Sequence, residues 1–426
     1  MQITINTISD VEQEANIEVT QAELQPHFDH AYEEYRPKVE VRGFRKGRVP
    51  MPMIRQLYGQ AIEYEALDDI ANVFFHQAMH EQKIEPMGRP SITDMDFKRG
   101  ERFTFKVKYE VRPKVELKRY KGLKLEKYVH PVTDQEVDDE IQRLRRINST
   151  AESAEKVLDD GYAVTADVQE LDKGGTPLIG RKTPNVRFHL IDPDIAPEIK
   201  EALKNAEPGR VYRASIESQH GDHKHSSDLA LTVTKVEKVT LPPFDDALAS
   251  KVSGGKVPTA AELQANIRRD LERYWDDLTT RRLNDDLAGE VVKEHEFSVP
   301  ASLVNGFLDA MIDDVKNRAR DKKLPQGFDE KKFREENRAY AIWQSKWMLL
   351  KDRIAEVEGL TVTEEDMHKA AERDAATLPI DKERLMAHYK TSESAQDRLL
   401  TEKVMSFLKA QAHMTEKIET GASDLT

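Results

Sequence analysis

The hydrophobic period of this 426-residue chain changes at Leu241-Pro242-Pro243, and that change limits its fold more than any other feature. Apolar residues two apart bury one face of a strand, whereas a spacing of about 3.6 buries one face of a helix. Before the break both spacings occur. Met1-Gln2-Ile3-Thr4-Ile5-Asn6 and Arg102-Phe103-Thr104-Phe105-Lys106-Val107-Lys108-Tyr109-Glu110-Val111 alternate as half-buried strands, and 162–168, 211–216 and 229–236 read as further strands. After it, helical stripes dominate: Leu263, Ile267, Leu271, Trp275 and Leu278, then Leu400, Val404, Phe407 and Leu408. Breaks at Val299-Pro300, Leu324-Pro325-Gln326-Gly327 and Leu378-Pro379 divide the stripes into several helices. Two kinds of periodicity in a chain too long for one hydrophobic core predict an α+β multidomain fold class.

Local signals subdivide the first part. Leu24, Phe28, Ala31 and Tyr35 share one helical face, with Thr20 and Glu23 as a capping box before it and Pro37 as its stop. Ile54, Leu57, Tyr58, Ala61, Ile62 and Glu65 predict a second helix, so the residues between form a loop carried by two helices. This mixed unit closes at Arg112-Pro113. Val132-Thr133-Asp134-Gln135-Glu136-Val137 opens another capped helix, with Val137, Ile141 and Leu144 as its apolar stripe. The short strands that follow predict a small antiparallel sheet, covered by a helix bearing Ile195, Ile199 and Leu203.

Charge narrows the function classes. The net charge of −13 excludes a chain that coats nucleic acid along its length, so such a contact must come from a local basic patch. Cysteine is absent, which excludes disulfides, thiolate zinc sites and cysteine nucleophiles. No run approaches the roughly 20 apolar residues of a membrane helix, and the N-terminus lacks the basic start and apolar run of a secretory signal. A cytoplasmic protein without membrane contact is expected. Gly175-Thr176-Pro177-Leu178-Ile179-Gly180-Arg181-Lys182 falls short of a phosphate-binding loop, because Arg181 and Lys182 stand where Lys and Ser or Thr are required. Neither a Gly-x-Ser-x-Gly nor a His-Glu-x-x-His motif occurs. His220, His223 and His225 with Asp222 have the chemistry of metal ligands, but the glycine and lysine among them favour a solvated loop, and no metal is assigned.

The local basic patch exists. Between Arg36 and Arg55 stand Arg36, Lys38, Arg42, Arg45, Lys46, Arg48 and Arg55 against the lone acid Glu40. Gly43 and Gly47 permit a left-handed backbone, Pro50 stiffens the exit, and Phe44 is an apolar side chain held among cations. From charge alone this is a solvated basic turn. As a docking tip it would meet an acidic protein patch and RNA phosphates, through contacts that weaken as salt rises.

Gly43-Phe44-Arg45-Lys46-Gly47-Arg48-Val49-Pro50 resembles the ribosome-binding signature of bacterial trigger factors, Gly-Phe-Arg-x-Gly-x-x-Pro, and this favours docking over the solvated turn. Gly122-Leu123-Lys124-Leu125-Glu126 resembles that family's passage into its middle domain, and Leu241-Pro242-Pro243-Phe244-Asp245-Asp246 its exit. Val299-Pro300-Ala301-Ser302-Leu303-Val304 and residues 354–365 are similar to family segments in the right order, so the resemblance spans nearly the whole chain.

That resemblance implies a ribosome-binding domain over 1–112, an FKBP-like prolyl isomerase domain over 150–240, and a discontinuous helical chaperone domain. The last comprises a linker helix, 113–149, and residues 241–418, before a disordered tail at 419–426. It implies an ATP-independent chaperone with no cofactor. The partners implied are the large ribosomal subunit near the exit tunnel, both protein and rRNA, and nascent and unfolded polypeptides; a homodimer is compatible. Gly43, Phe44, Arg45, Lys46, Gly47, Arg48 and Pro50 are the ribosome-binding residues it assigns. An active peptidyl-prolyl cis-trans isomerase acting on nascent chains is the alternative. Such isomerases hold proline against several aromatic walls, where a dry surface favours the twisted amide. Residues 161–240 offer only Tyr162, Phe188 and Tyr212, the usual Phe-Pro-Glu loop is replaced by Ser218 to His225, and the glycine-rich segment before the covering helix is missing. The middle domain is therefore expected to be degenerate, and no catalytic residue is assigned. Trp275, Trp343, Trp347, Met348 and Phe407 read as helical core, although a chaperone also needs exposed apolar side chains for its clients.

Overall fold

A computed structural model describes residues 1–42, 44–172, 174–220, 223–376 and 378–419, with backbone alone over 217–220 and 223–226. Gly43, Asp222, the His220, His223 and His225 side chains, and residues 420–426 of the expected tail lie outside the described residues. The chain forms two compact units, one of Met1–Lys127 with Arg281–Glu416, the other of Tyr128–Thr280 with residues 417–419.

The first unit opens with β1 (Gln2–Thr7) and β2 (Glu12–Thr20), passes through α1 (Gln21–Tyr35), α2 (Met51–Glu65) and α3 (Leu67–Gln82), and returns in β3 (Met87–Lys98) and β4 (Arg102–Glu110). The strands make an antiparallel sheet in the order β1-β2-β4-β3. Alternation in β4 buries Phe103, Phe105 and Val107, which lie opposite Val19, Ile17 and Ala15 of β2. Leu24, Phe28 and Tyr32 of α1, Ile54 and Ile62 of α2, and Phe74 and Phe75 of α3 join the same core. Thr20 and Glu23 form the capping box that starts α1. In α2 the helix is where its residues predict it, but Leu57, Tyr58 and Ala61 are exposed, and the buried arc is Ile54, Gly59, Ile62 and Glu63. β5 (Lys124–Val129) follows this domain.

In the second unit α4 (Asp134–Ile147) is capped by Thr133, whose hydroxyl accepts from the Glu136 N–H. β6 (Thr150–Ser153), β7 (Tyr162–Leu171), β8 (Pro177–His189), α5 (Pro197–Ala202), β9 (Val211–His220) and β10 (His223–Thr240) follow. β10 is the spine of an antiparallel sheet, pairing β7 along one edge and β9 and β6 along the other, with β8 beyond β7. Ile199 of the short covering helix and Leu203 at its C-cap share a core with Val164, Ala166, Leu231 and Val233. The histidine run, expected as a solvated loop, is instead drawn into paired strands whose backbone register reaches His220 opposite His223. α6 (Asp246–Ser253) and the first part of α7 (Ala260–Lys293) complete the unit, with Val137, Ile141, Ala249, Leu263 and Ile267 as a separate small core.

Helices make up the remainder of the first unit: the end of α7, then α8 (Ala301–Arg318), α9 (Glu330–Glu358), α10 (Glu364–Ala375), α11 (Lys382–Thr391) and α12 (Glu393–Gln411). The Pro-containing breaks at 299–300, 324–327 and 378–379 fall between helices, whereas α11 and α12 are parted at Ser392 alone. One strand interrupts the helical pattern: β11 (His413–Ile418), exposed along its length, pairs with β5. Leu287, Val291, Trp347, Leu350, Ile354, Val404 and Leu408 form the main helical core.

Candidate functional site

The loop between α1 and α2 is anchored on both sides before its tip is exposed. Val39 and Val49 are buried in the core of the domain. Between them the Phe44 N–H donates to the Val41 carbonyl at 3.0 Å and the Arg48 N–H to the Arg45 carbonyl at 2.9 Å, making two tight turns. Gly47 has φ +75°, where a side chain would be strained, and a Cβ there would lie 3.5 Å from Pro37 Cα. Pro50, at φ −61° and ψ 138°, is the N-cap of α2, and its carbonyl accepts from Met53 and Ile54. Phe44, 41% exposed, is thereby held at the surface of a braced turn, with Arg45, Lys46 and Arg48 exposed beside it. The structure brings Phe44, Arg45, Lys46, Gly47, Arg48 and Pro50 together.

The charges of this segment are not equivalent. Lys46 Nζ is 2.9 Å from Glu40, Arg36 pairs with Glu33 at 3.4 Å, and Arg55 pairs with Asp29 at 2.7 Å. Arg42, Arg45 and Arg48 have no carboxylate partner among the described residues. Free positive charge is thus concentrated on arginines next to Phe44. Arginine's planar fork suits carboxylate and phosphate alike.

Between α1 and α2 lies a network of residues that sequence reasoning missed. Tyr32 Oη donates to Glu63 Oε1 at 2.5 Å, and Arg99 Nε donates to Glu63 Oε2 at 2.6 Å. The Arg55 guanidinium covers the Tyr32 ring at 5.2 Å. Burial, reinforced by the Glu63 carboxylate, pushes the Tyr32 hydroxyl up to about 12, so it stays protonated and donating. A Cβ on Gly59 would lie 2.9 Å from Arg99 Nη2 and 3.0 Å from Tyr32 Oη, so a larger residue there would press on the network. The signal in the sequence was Glu63 itself, an acid beside Ile62 on the arc that begins at Ile54. The result is a brace: α1 and α2 are pinned together by a buried carboxylate, and the loop spans from the end of α1 to the start of α2.

The helical part holds a second feature. Between α8 and α9 a groove of about 510 Å³ is lined by Phe307, Met311, Val315, Phe333 and Tyr340 among others. The aromatic residues expected as core lie elsewhere: Trp275 and Trp347 are buried, and Trp343 and Phe407 pack against the core. A larger cleft of about 860 Å³ is lined by charged residues, among them Arg112, Lys114, Asp352 and Glu356, together with Val115, Leu349 and Leu400. In the middle sheet Tyr162 is buried in the core, Phe188 packs against it, and the Tyr212 hydroxyl accepts from the Glu207 N–H at 2.9 Å. Each of the three aromatic side chains is committed to holding the sheet.

Residues 1–144 match the family model for the bacterial trigger factor protein, and residues 259–410 match the model for its C-terminus. The chain belongs to the trigger factor family. The trigger factor of Salinibacter ruber is 28% identical over 430 residues, covering 96% of this chain and 93% of its own. That of Chlorobium phaeobacteroides is 29% identical over 424 residues, covering 98% of each chain. A solved trigger factor chaperone, described for its promiscuous substrate recognition in folding and assembly, shares the fold at a TM-score of 0.51 and 20% identity, covering 96% of this chain and 100% of that one. The trigger factor architecture accounts for the α/β start, the middle antiparallel sheet and the large helical part. No helix among the described residues is long and apolar enough to cross a membrane.

Proposed function

We propose that this chain is a ribosome-associated chaperone that docks beside the exit tunnel through Phe44, Arg45, Lys46, Gly47, Arg48 and Pro50, with Gly43 completing the tip. The observation that carries this reading is a braced turn exposing Phe44 beside arginines that have no carboxylate partner among the described residues, on a chain whose net charge is −13. An apolar side chain ringed by free cations fits a partner offering an acidic protein patch and RNA phosphates together. Residues 1–112 then serve as the docking domain, 113–149 and 241–418 as the chaperone body, and 150–240 as an FKBP-like module. The groove of Phe307, Met311, Val315, Phe333 and Tyr340 suits extended apolar segments of nascent and unfolded chains, which many weak contacts hold without demanding one sequence. Neither ATP nor a cofactor is required, and the protein works in the cytoplasm. Off the ribosome, the same exposed apolar surfaces suit a homodimer. Prolyl isomerisation is not favoured, because Tyr162, Phe188 and Tyr212 are committed to the sheet core and its covering loop.

Co-sedimentation with large ribosomal subunits tests the docking. Wild type should sediment with the subunits, and the Phe44→Ala, Arg45→Ala, Lys46→Ala triple variant should remain in the supernatant. Since Glu40 already engages Lys46, most of the loss should come from Phe44 and Arg45. Undiminished binding of the triple variant would contradict the reading.

A further inference from the structure

The outer face of α2 is uncharged. Leu57, Ala61 and Tyr64 lie within one narrow arc of the helix, flanked on one side by Gln60 and Gln56 and on the other by Glu65, and all six are exposed. Leu57 is 56% and Tyr64 52% exposed. In a chain with 34% charged residues, a solvent-facing helix surface ordinarily carries Lys and Glu. The exposed charges of this helix, Arg55 and Glu65, fall outside the arc and are engaged, Arg55 with Asp29 at 2.7 Å and Glu65 by the Tyr35 hydroxyl. Tyr64 meets Phe97 edge to face at 5.5 Å, which fixes its ring in place.

We propose that this face is the second half of the ribosome contact and is seated on a protein of the large subunit. The inference rests on the docking reading above. Specific protein interfaces take about 20–30 residues and about 800 Å² from each side, more than an eight-residue loop supplies. Continuous surface must make up the difference. α2 begins one residue after Pro50, Leu57 lies about 9 Å along its axis, and the Tyr58 hydroxyl donates to the Glu40 carbonyl at 3.4 Å, tying this helix to the loop. RNA requires cations, and the arc holds none, whereas Tyr, Leu and uncharged amides are the composition of a protein contact core. The loop therefore supplies charge and the helix face supplies desolvated area.

The test is equilibrium binding of the full-length chain to purified large subunits over a range of salt concentrations. Four proteins are compared: wild type, Leu57→Gln with Ala61→Gln, the Phe44, Arg45, Lys46 triple alanine variant, and Val73→Gln on the neighbouring α3 as a control for altering an exposed apolar residue. The α2 pair should bind about tenfold more weakly or worse, with the slope of log Kd against log salt unchanged, because neutral area and not charge was removed. The triple variant should lower that slope, and Val73→Gln should match wild type. A photo-cross-linking residue at Gln60 should join the chain to a ribosomal protein. Far-ultraviolet circular dichroism and Tm, equal to wild type for the α2 pair, keep a loss of binding from being a loss of fold. Wild-type affinity in the α2 pair, with binding lost in the triple variant, overturns the inference and leaves loop docking standing. A shallower salt slope in the α2 pair, or a cross-link to rRNA, assigns the face to RNA and overturns it. Wild-type ribosome affinity with lost self-association assigns it to a second copy and also overturns it. Wild-type affinity in the triple variant defeats the docking reading itself.

Discussion

At the scale of single residues, Glu63 shows how a buried charge fixes a surface. Its carboxylate receives the Tyr32 hydroxyl and the Arg99 guanidinium while it is itself buried in α2. A buried carboxylate is tolerated only when its oxygens are occupied by such donors. Glu63→Ala leaves Tyr32 Oη with only the long contact to the Gly59 carbonyl at 3.5 Å, while Arg99, about half exposed, turns to water. The expected cost is about 2 kcal/mol, the scale of hydrogen bonds to a charged group. Urea unfolding of the variant measures this, and an unchanged midpoint would show that the network does not hold the helices. Phe44 illustrates the opposite case. Its exposure costs little, because the turns around it are satisfied by backbone hydrogen bonds and by the buried Val39 and Val49.

Among the helices, α10, α11 and α12 are tied by carboxylates rather than by a large core. Asp374 is pushed up by burial, but donation from the Tyr389 hydroxyl at 2.5 Å, Arg398 at 2.9 Å and Arg373 at 3.1 Å outweighs it and brings the carboxyl from 3.8 to about 2. At α10 the hydrogen bond from Lys403, then those from the Thr363 N–H and hydroxyl, hold Asp366 at about 2. Because these carboxyls are more acidic folded than unfolded, they stabilise fully above about pH 4, and that contribution disappears as pH falls toward 2. For Asp374 the loss is on the order of 2 kcal/mol. Helical circular dichroism followed from pH 5 to 2 should show acid melting that Asp374→Asn flattens, with a lower stability at neutral pH in exchange. A variant with the full wild-type acid dependence would remove Asp374 from the explanation.

For the whole molecule, separate cores govern how the chain unfolds. The β1 to β4 sheet with its helices, the β6 to β10 sheet, and the α7, α9 and α12 bundle each enclose their own apolar cluster. Cooperativity extends only as far as shared burial, so the chain should not unfold in two states. Calorimetry should give a measured enthalpy larger than the van't Hoff value and more than one transition. A single transition with equal enthalpies would mean that the clusters melt together. The same division would let the β1 to β4 domain and the middle sheet change independently, since neither depends on the other's core.

Sequence by itself determined the features whose physics is local. The α1 and α4 capping boxes, the alternation of β4, the Pro and Gly breaks between helices, and the loop from Phe44 to Pro50 all involve residues adjacent along the chain, so spacing alone reveals them. Tertiary structure decided what depends on distant partners. In α2, apolar residues surround much of the helix, and only its seat on the sheet shows that Ile54 and Ile62 are inside while Leu57 and Ala61 face out. β8 and β11 are largely exposed and carry no period, so pairing with β7 and β5 makes them strands. Glu63 meets Tyr32 and Arg99 from 31 and 36 residues away. Lys46 and Arg45 are equal in a count of charge, yet a carboxylate 2.9 Å from one of them leaves the other free to bind.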